Sequence, residues 1–188
     1  CTGMMYASLK TIRRWHDPMV APLYVLLGLA TGSVVLNAIL AVLSQGTDAG
    51  KILAIVFLVA GLFAKLLYWR RGDSAEKTYT TESATGLGFI GKVRPLEPAH
   101  TQPNYVMREM GYEVGRKHAA RLRAIAIVAG FAVPVVATCF TIGQSGTVAA
   151  ILLLLALAAC AVGILVERWL FFAEAQHVVT LYYGEQTA

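Results

Sequence analysis

Charge is scarce in this sequence and cysteine scarcer still. Only 14% of its 188 residues are Asp, Glu, Lys or Arg, and three are cysteine. Cys139 and Cys160 fall inside apolar runs, Cys1 stands at the edge, and no pair has C-x-x-C spacing. Neither a disulfide framework nor a zinc or iron–sulfur site is therefore indicated within this chain. None of His16, His100 and His118 lies at the centre of an apolar run, so a bis-histidine haem is not expected either. No apolar run reads as a secretory signal, because each is longer than the roughly 7 to 15 residues of such a segment.

What is present is apolar: 57% of the residues are hydrophobic, and the mean hydropathy is +0.61. Residues 18–43, 124–143 and 148–166 carry no charge, and residues 52–69 carry one, Lys65. Each run approaches the roughly 20 residues that a hydrocarbon core demands. The expected fold is therefore all-α and integral to the membrane, with four transmembrane helices at about 18–43, 52–69, 124–143 and 148–170 in a single domain, 1–188. A soluble helical core is the alternative, but four runs of this kind leave almost no polar face to meet water. Lys65 is expected to snorkel toward the headgroups. Gly28, Gly32, Ser33 and Asn37 suit a small-residue packing face. Pro134 is expected to kink the third span, with Thr138 one turn later available to the carbonyl it frees. The opening CTGMMYASLK reads as the last turns of an earlier helix, so the sequence is expected to begin partway through a longer protein.

The charges sort by side. Fourteen of the 16 basic residues precede the first span, fill the segment 70–123 or, as Arg168, end the fourth span, whereas Lys51 stands alone in the turn 44–51 on the opposite face. The positive-inside rule places the basic side in the cytoplasm, which for a bacterial chain means a multi-pass protein of the inner membrane. Arg70, Arg71, Arg121 and Arg123 are read as topology-setting charges only. Trp15, Tyr68, Trp69 and Trp169 fall where an interfacial aromatic belt is expected.

Segment 70–123 is far longer than a helix hairpin needs, and long connections are usually functional or disordered. Tyr79, Leu87, Phe89, Ile90, Val93 and Leu96 are interspersed through it and call for burial, so order is expected. Asn104 to Leu122 is read as an amphipathic helix feeding the third span. Gly86, Gly88 and Gly91 have G-x-G-x-x-G spacing, which in a dinucleotide site follows a strand and opens a helix. Here they follow the polar run TTESAT and precede VRPLEP, so they are read as turn and close-approach positions. With Lys92 and Arg94 they are candidates for docking a protein partner. No nucleic-acid partner is expected.

The loop TESATGLGFIGKVRPLEPAH…NYVMREMGYEVGRKHA, the opening CTGMMYASLKTIRRWHDP and the closing ERWLFFAEAQHVVTLYYG together resemble the membrane anchor subunit of dimethyl sulfoxide reductase, the DmsC family, over almost the whole chain. The resemblance implies a noncatalytic, haem-free anchor. Such an anchor oxidises quinol (menaquinol or ubiquinol) and passes electrons to an iron–sulfur subunit, which feeds a molybdopterin catalytic subunit. Members typically carry further spans before this region, and the family's quinol-site residues lie there, so none is carried over. The best-known complexes hold their catalytic subunits on the outer face, whereas the charge pattern puts this loop inside. Either this branch works in the cytoplasm or the parity of the spans differs. A transporter or scaffold subunit without redox chemistry is the rival reading.

Near the end of the fourth span, Glu167, Arg168, Glu174 and His177 fit one continuous helical pattern. A carboxylate and a histidine near neutral pH suit the uptake of two protons from a quinol, with Arg168 beside them to steady charge. An interfacial cluster that anchors the helix end explains the same residues equally well.

Overall fold

A computed structural model describes residues 1–74, 79–94, 96–97 and 113–183. Four helices in it are long and apolar enough to cross a membrane. In chain order the helices are α1 (Thr2–Ala7), α2 (Val20–Val42), α3 (Asp48–Ser74), α4 (Thr81–Thr85), α5 (Glu113–Lys117), α6 (Ala119–Phe140) and α7 (Thr147–Ala173), followed by a 3₁₀ turn, Val178–Tyr183. The long helices, α2, α3, α6 and α7, form an antiparallel bundle in which each packs on its two neighbours in the ring α2–α3–α6–α7. They outrun the apolar runs at several ends. α3 begins at Asp48, α6 begins at Ala119 and α7 runs on to Ala173, because a helix continues through polar residues once its backbone has left the hydrocarbon.

Each long helix buries one narrow stripe. On α2 it is Val20, Leu23, Leu27, Ala30, Val34 and Asn37; on α3, Lys51, Ala54, Leu58, Gly61, Lys65 and Tyr68; on α7, Leu153, Ala156, Cys160, Gly163, Glu167 and Leu170. Steps of three and four alternate along all three, which is the spacing of a helix seam that meets its neighbour along its length. The outward positions between them, Val25, Leu29, Phe63, Leu155 and Leu165 among them, are equally apolar but exposed, as a lipid-facing surface requires.

The backbones of α6 and α7 approach each other closely. A Cβ built on Gly163 would run into the backbone of Ala129 and Gly130, so both glycines are needed for the helices to meet. Around Gly130, α6 is wound as a π-turn over Val128–Ala132, with the Val133 N–H reaching back to Val128 O. Pro134 has no N–H to give and follows that wide turn directly; the turn, rather than a bond from Thr138, is what the helix shows at this point. Gly163→Ala is expected to destabilise the bundle by about 1–3 kcal/mol through overpacking, read as a lower unfolding midpoint in detergent. Gly28 and Gly32, by contrast, face open space with nothing within 4 Å of an added Cβ, so the expected small-residue seam of α2 is not a contact among the described residues. Asn37 does join helices, its Nδ2 donating to Ser33 O at 2.8 Å and to Gly50 O at 2.9 Å.

At the end away from most basic residues, Lys51 is 3% exposed. Its ammonium donates to Thr141 O at 2.6 Å, Gln144 O at 2.8 Å and Asp48 Oδ1 at 2.9 Å. The last carbonyls of α6 have no intrahelical donors, and a cation there also complements the helix dipole. Lys51 thus ties the two short turns together.

Candidate functional site

The opposite end of the bundle gathers ionisable side chains from four elements. Arg14 comes from the turn before α2, Asp73 from the end of α3, Arg123 from the start of α6, and Glu174 caps α7. They alternate in sign around a closed ring. Arg14 donates to Asp73 at 2.7 Å and to Glu174 at 2.9 Å; Arg123 donates to Asp73 at 2.5 Å and to Glu174 at 2.7 Å. Both Glu174 oxygens are occupied, one by each guanidinium. The topology forces this convergence: an antiparallel bundle brings the start of α2, the end of α3, the start of α6 and the end of α7 to one face.

Beneath the ring, inside the spans, lies a second cluster. Lys65 and Glu167 are both wholly buried and form an ion pair across α3 and α7. Glu167 also accepts two hydrogen bonds from Arg168, at 2.5 Å and 2.8 Å. Aromatic rings wall the cluster. The Lys65 ammonium lies 4.5 Å from the Tyr68 ring centroid and 4.9 Å from that of Trp69, and the Arg168 guanidinium lies 4.5 Å from that of Tyr24. In so apolar a setting these faces supplement the carboxylate as counter-groups. Tyr6, Trp15, Phe171 and Phe172 pack edge-to-face and stacked around them. Trp15 Nε1 donates to Phe171 O at 3.0 Å, and the Tyr68 hydroxyl to Arg14 O at 2.8 Å.

Several expectations change. Lys65 does not snorkel; it points into the bundle, because Glu167 lies opposite it at the same level. Tyr68 and Trp69 are 4% exposed and belong to the core rather than to an interfacial belt, while Trp169 is exposed. Arg123 does more than set topology, since it holds Asp73 and Glu174 together. Arg168 steadies Glu167 and not Glu174. Glu174 and His177 do not share a helix, because α7 ends at Ala173. His177 follows in a non-helical segment whose backbone bridges to Ile12; its ring is exposed and Nδ1 accepts from Val179 N at 3.0 Å.

In the loop, Thr80 and Ser83 close a reciprocal cap on α4, with Ser83 N donating to Thr80 Oγ1 at 3.2 Å and Thr80 N to Ser83 Oγ at 2.9 Å. Gly86 ends that helix at φ 69° and Gly91 lies at φ 154°, both in the region that favours glycine. A Cβ on Gly88 would sit 3.1 Å from that of Glu82. The motif thus closes a helix instead of opening one, opposite to a pyrophosphate cradle. The Glu82 carboxylate accepts from its own backbone N–H and from Val93 N, the latter at 3.2 Å, and these bonds hold it below the usual carboxylate range. Lys92 and Arg94 are exposed. The expected burial of the loop's apolar side chains is not met among the described residues: Phe89 is 86% and Ile90 72% exposed, and Leu87 and Leu96 are exposed too. Residues 104–112 of the anticipated helix 104–122 lie outside the described residues; Glu113–Lys117 is helical, and the helix breaks at His118 before α6.

Lys65, Arg14 and Asp73 were not candidates from sequence. The signal available was phase: Lys65 stands four residues after Gly61 and seven after Leu58 on the inward stripe of α3, and Glu167 occupies the same kind of position on α7.

No protein-family model and no solved structure matches the chain. It is similar to the C subunit of a sulfite dehydrogenase from Allochromatium vinosum, 30% identical over 187 residues. That alignment covers 97% of this chain and 55% of the relative, so the chain spans about half the length of the protein it resembles.

Proposed function

We propose that the chain belongs to the membrane anchor subunit of an oxidoreductase complex. In this reading it exchanges electrons between the quinone pool and an iron–sulfur subunit, which serves a molybdopterin catalytic subunit of the dimethyl sulfoxide reductase-like type. The observation that carries the reading is the similarity, along nearly the whole chain, to one subunit of a sulfite dehydrogenase, in a protein with four helices long and apolar enough to be spans. A reductase partner requires the anchor to oxidise quinol; a dehydrogenase such as the relative's name denotes would drive the same exchange toward quinol formation. Either direction moves two protons with two electrons, and a general acid–base group near each quinol oxygen speeds the transfer. Glu174 and His177 are proposed for that task at the charged end, with Glu167 and Arg168 as the charged pair behind them. The basic end is proposed to face the cytoplasm of a bacterial inner membrane.

The loop supplies the partner surface in this reading. Phe89 and Ile90 project beside Gly86, Gly88 and Gly91 and are followed by the exposed Lys92 and Arg94, which is the mixture of apolar anchors and basic rim that a protein interface uses. Replacing residues 81–96 with a Gly/Ser linker is expected to release the iron–sulfur subunit on purification while the spans stay inserted. Full copurification of the partner with that variant would remove the docking role, and a chain that copurifies with no redox subunit even when unaltered would favour the scaffold reading.

A further inference from the structure

We propose that a cleft at the basic end binds the phosphate of an anionic phospholipid. The cleft, of about 440 Å³, lies between the turn before α2 and the last turns of α3, and Arg13, Arg14, His16, Asp17, Tyr68 and Arg71 contribute to its lining. Its charges are unequally spent. Arg14 is neutralised by Asp73 and Glu174, and its guanidinium lies over Gly72, where an added Cβ would stand 3.4 Å from Nη1. Arg71 meets Asp17 only at 3.3 Å, with its side chain 56% exposed. Arg13 has no ion pair or side-chain hydrogen bond among the described residues. One guanidinium free and one loosely held, facing the same space, form a fork suited to phosphate oxygens.

Position selects a lipid over a soluble anion. The cleft sits where α2 begins and α3 ends, at the level where hydrocarbon gives way to headgroups. Phe63, Leu67 and Arg71 follow one another at intervals of four on α3, and Phe63 and Leu67 are 63% and 38% exposed. A phosphate held at Arg71 and Arg13 therefore leaves its acyl chains to run down an apolar stripe already turned toward lipid. Basic pockets between spans recognise anionic headgroups in this way.

The test uses the full-length protein in its complex, stripped of lipid in detergent and titrated with phosphatidylglycerol or with phosphatidylcholine of the same acyl chains, with bound lipid read by native mass spectrometry. Phosphatidylglycerol is expected to bind about tenfold or more tightly than phosphatidylcholine, and Arg13→Gln and Arg71→Gln are each expected to remove most of that preference. Arg71→Gln also breaks the contact with Asp17, but Arg13→Gln breaks no ion pair or side-chain hydrogen bond among the described residues, so it tests the site without disturbing the fold. Lys10→Gln, at the same end but outside the cleft, is expected to leave the preference unchanged. Equal binding of the two lipids, or a preference that survives Arg13→Gln together with Arg71→Gln, overturns the proposal. Displacement of phosphatidylglycerol by excess inorganic phosphate would overturn the lipid assignment and give the cleft to a soluble anion.

Discussion

Glu167→Gln and Lys65→Met are each expected to destabilise the bundle by about 3–5 kcal/mol, the cost of leaving one member of a buried ion pair without its partner. Both side chains are fully buried. Glu167→Gln is expected at the upper end of that range, because Lys65 then keeps only the faces of Tyr68 and Trp69, and Lys65→Met at the lower end, because Glu167 keeps its two bonds from Arg168. The double variant Lys65→Met with Glu167→Leu is expected to lose less than either single change, since two apolar side chains of similar volume fill the seam and no buried charge is stranded there. Arg168 then loses its carboxylate, but its side chain is 24% exposed and its long stem lets the guanidinium turn toward the bundle end. Unfolding of the purified protein in a graded detergent series gives the four free energies of a double-mutant cycle. Single variants that unfold like the parent would show that the pair contributes nothing to holding α3 on α7.

That pair also marks where sequence reasoning stops in a membrane bundle. The four spans were legible because hydrocarbon demands long uncharged runs, and the helices found at Val20–Val42, Asp48–Ser74, Ala119–Phe140 and Thr147–Ala173 contain most of each run. The direction each helix faces was not legible by hydropathy, since Leu58 in the core and Val59 toward lipid are equally apolar; only 1% of Leu58 is exposed against 51% of Val59. In a soluble helix the polar face tells inside from outside, and here lipid removes that contrast. Snorkelling was a sound expectation for a single lysine near a helix end; what overrode it was a carboxylate on another helix, a long-range fact invisible to local pattern. The loop misled in the opposite sense. Phe89 and Ile90 read as core residues because apolar side chains in an ordered segment call for burial, yet among the described residues nothing covers them. Glu174 and His177, three apart, suggested one helix face, but α7 stops at Ala173 once Glu174 is drawn to Arg14 and Arg123 and the following backbone pairs with Ile12.

His177→Ala is expected to lower quinol-linked turnover by about 100-fold if the imidazole takes a proton from quinol, and Glu174→Gln by at least as much. The structure separates the two experiments. His177 is exposed, and its ring makes one local hydrogen bond, from Val179 N, so its removal should leave assembly and thermal stability unchanged, and any loss reports on chemistry. Added imidazole should then restore part of the turnover, a rescue that a merely structural side chain would not show. Glu174 is different, being the shared counter-ion of Arg14 and Arg123. Glu174→Gln keeps the shape but leaves those guanidinium groups with Asp73 alone, so it is expected to lower stability as well as turnover. Activity with an artificial donor supplied directly to the catalytic subunit should persist in both variants, because that route bypasses the membrane. If His177→Ala oxidises quinol at the normal rate and Glu174→Gln loses turnover only in proportion to the protein that unfolds, Glu174 is the keystone of a charged ring. Under the proposed function, the proton acceptors for quinol then lie outside this cluster.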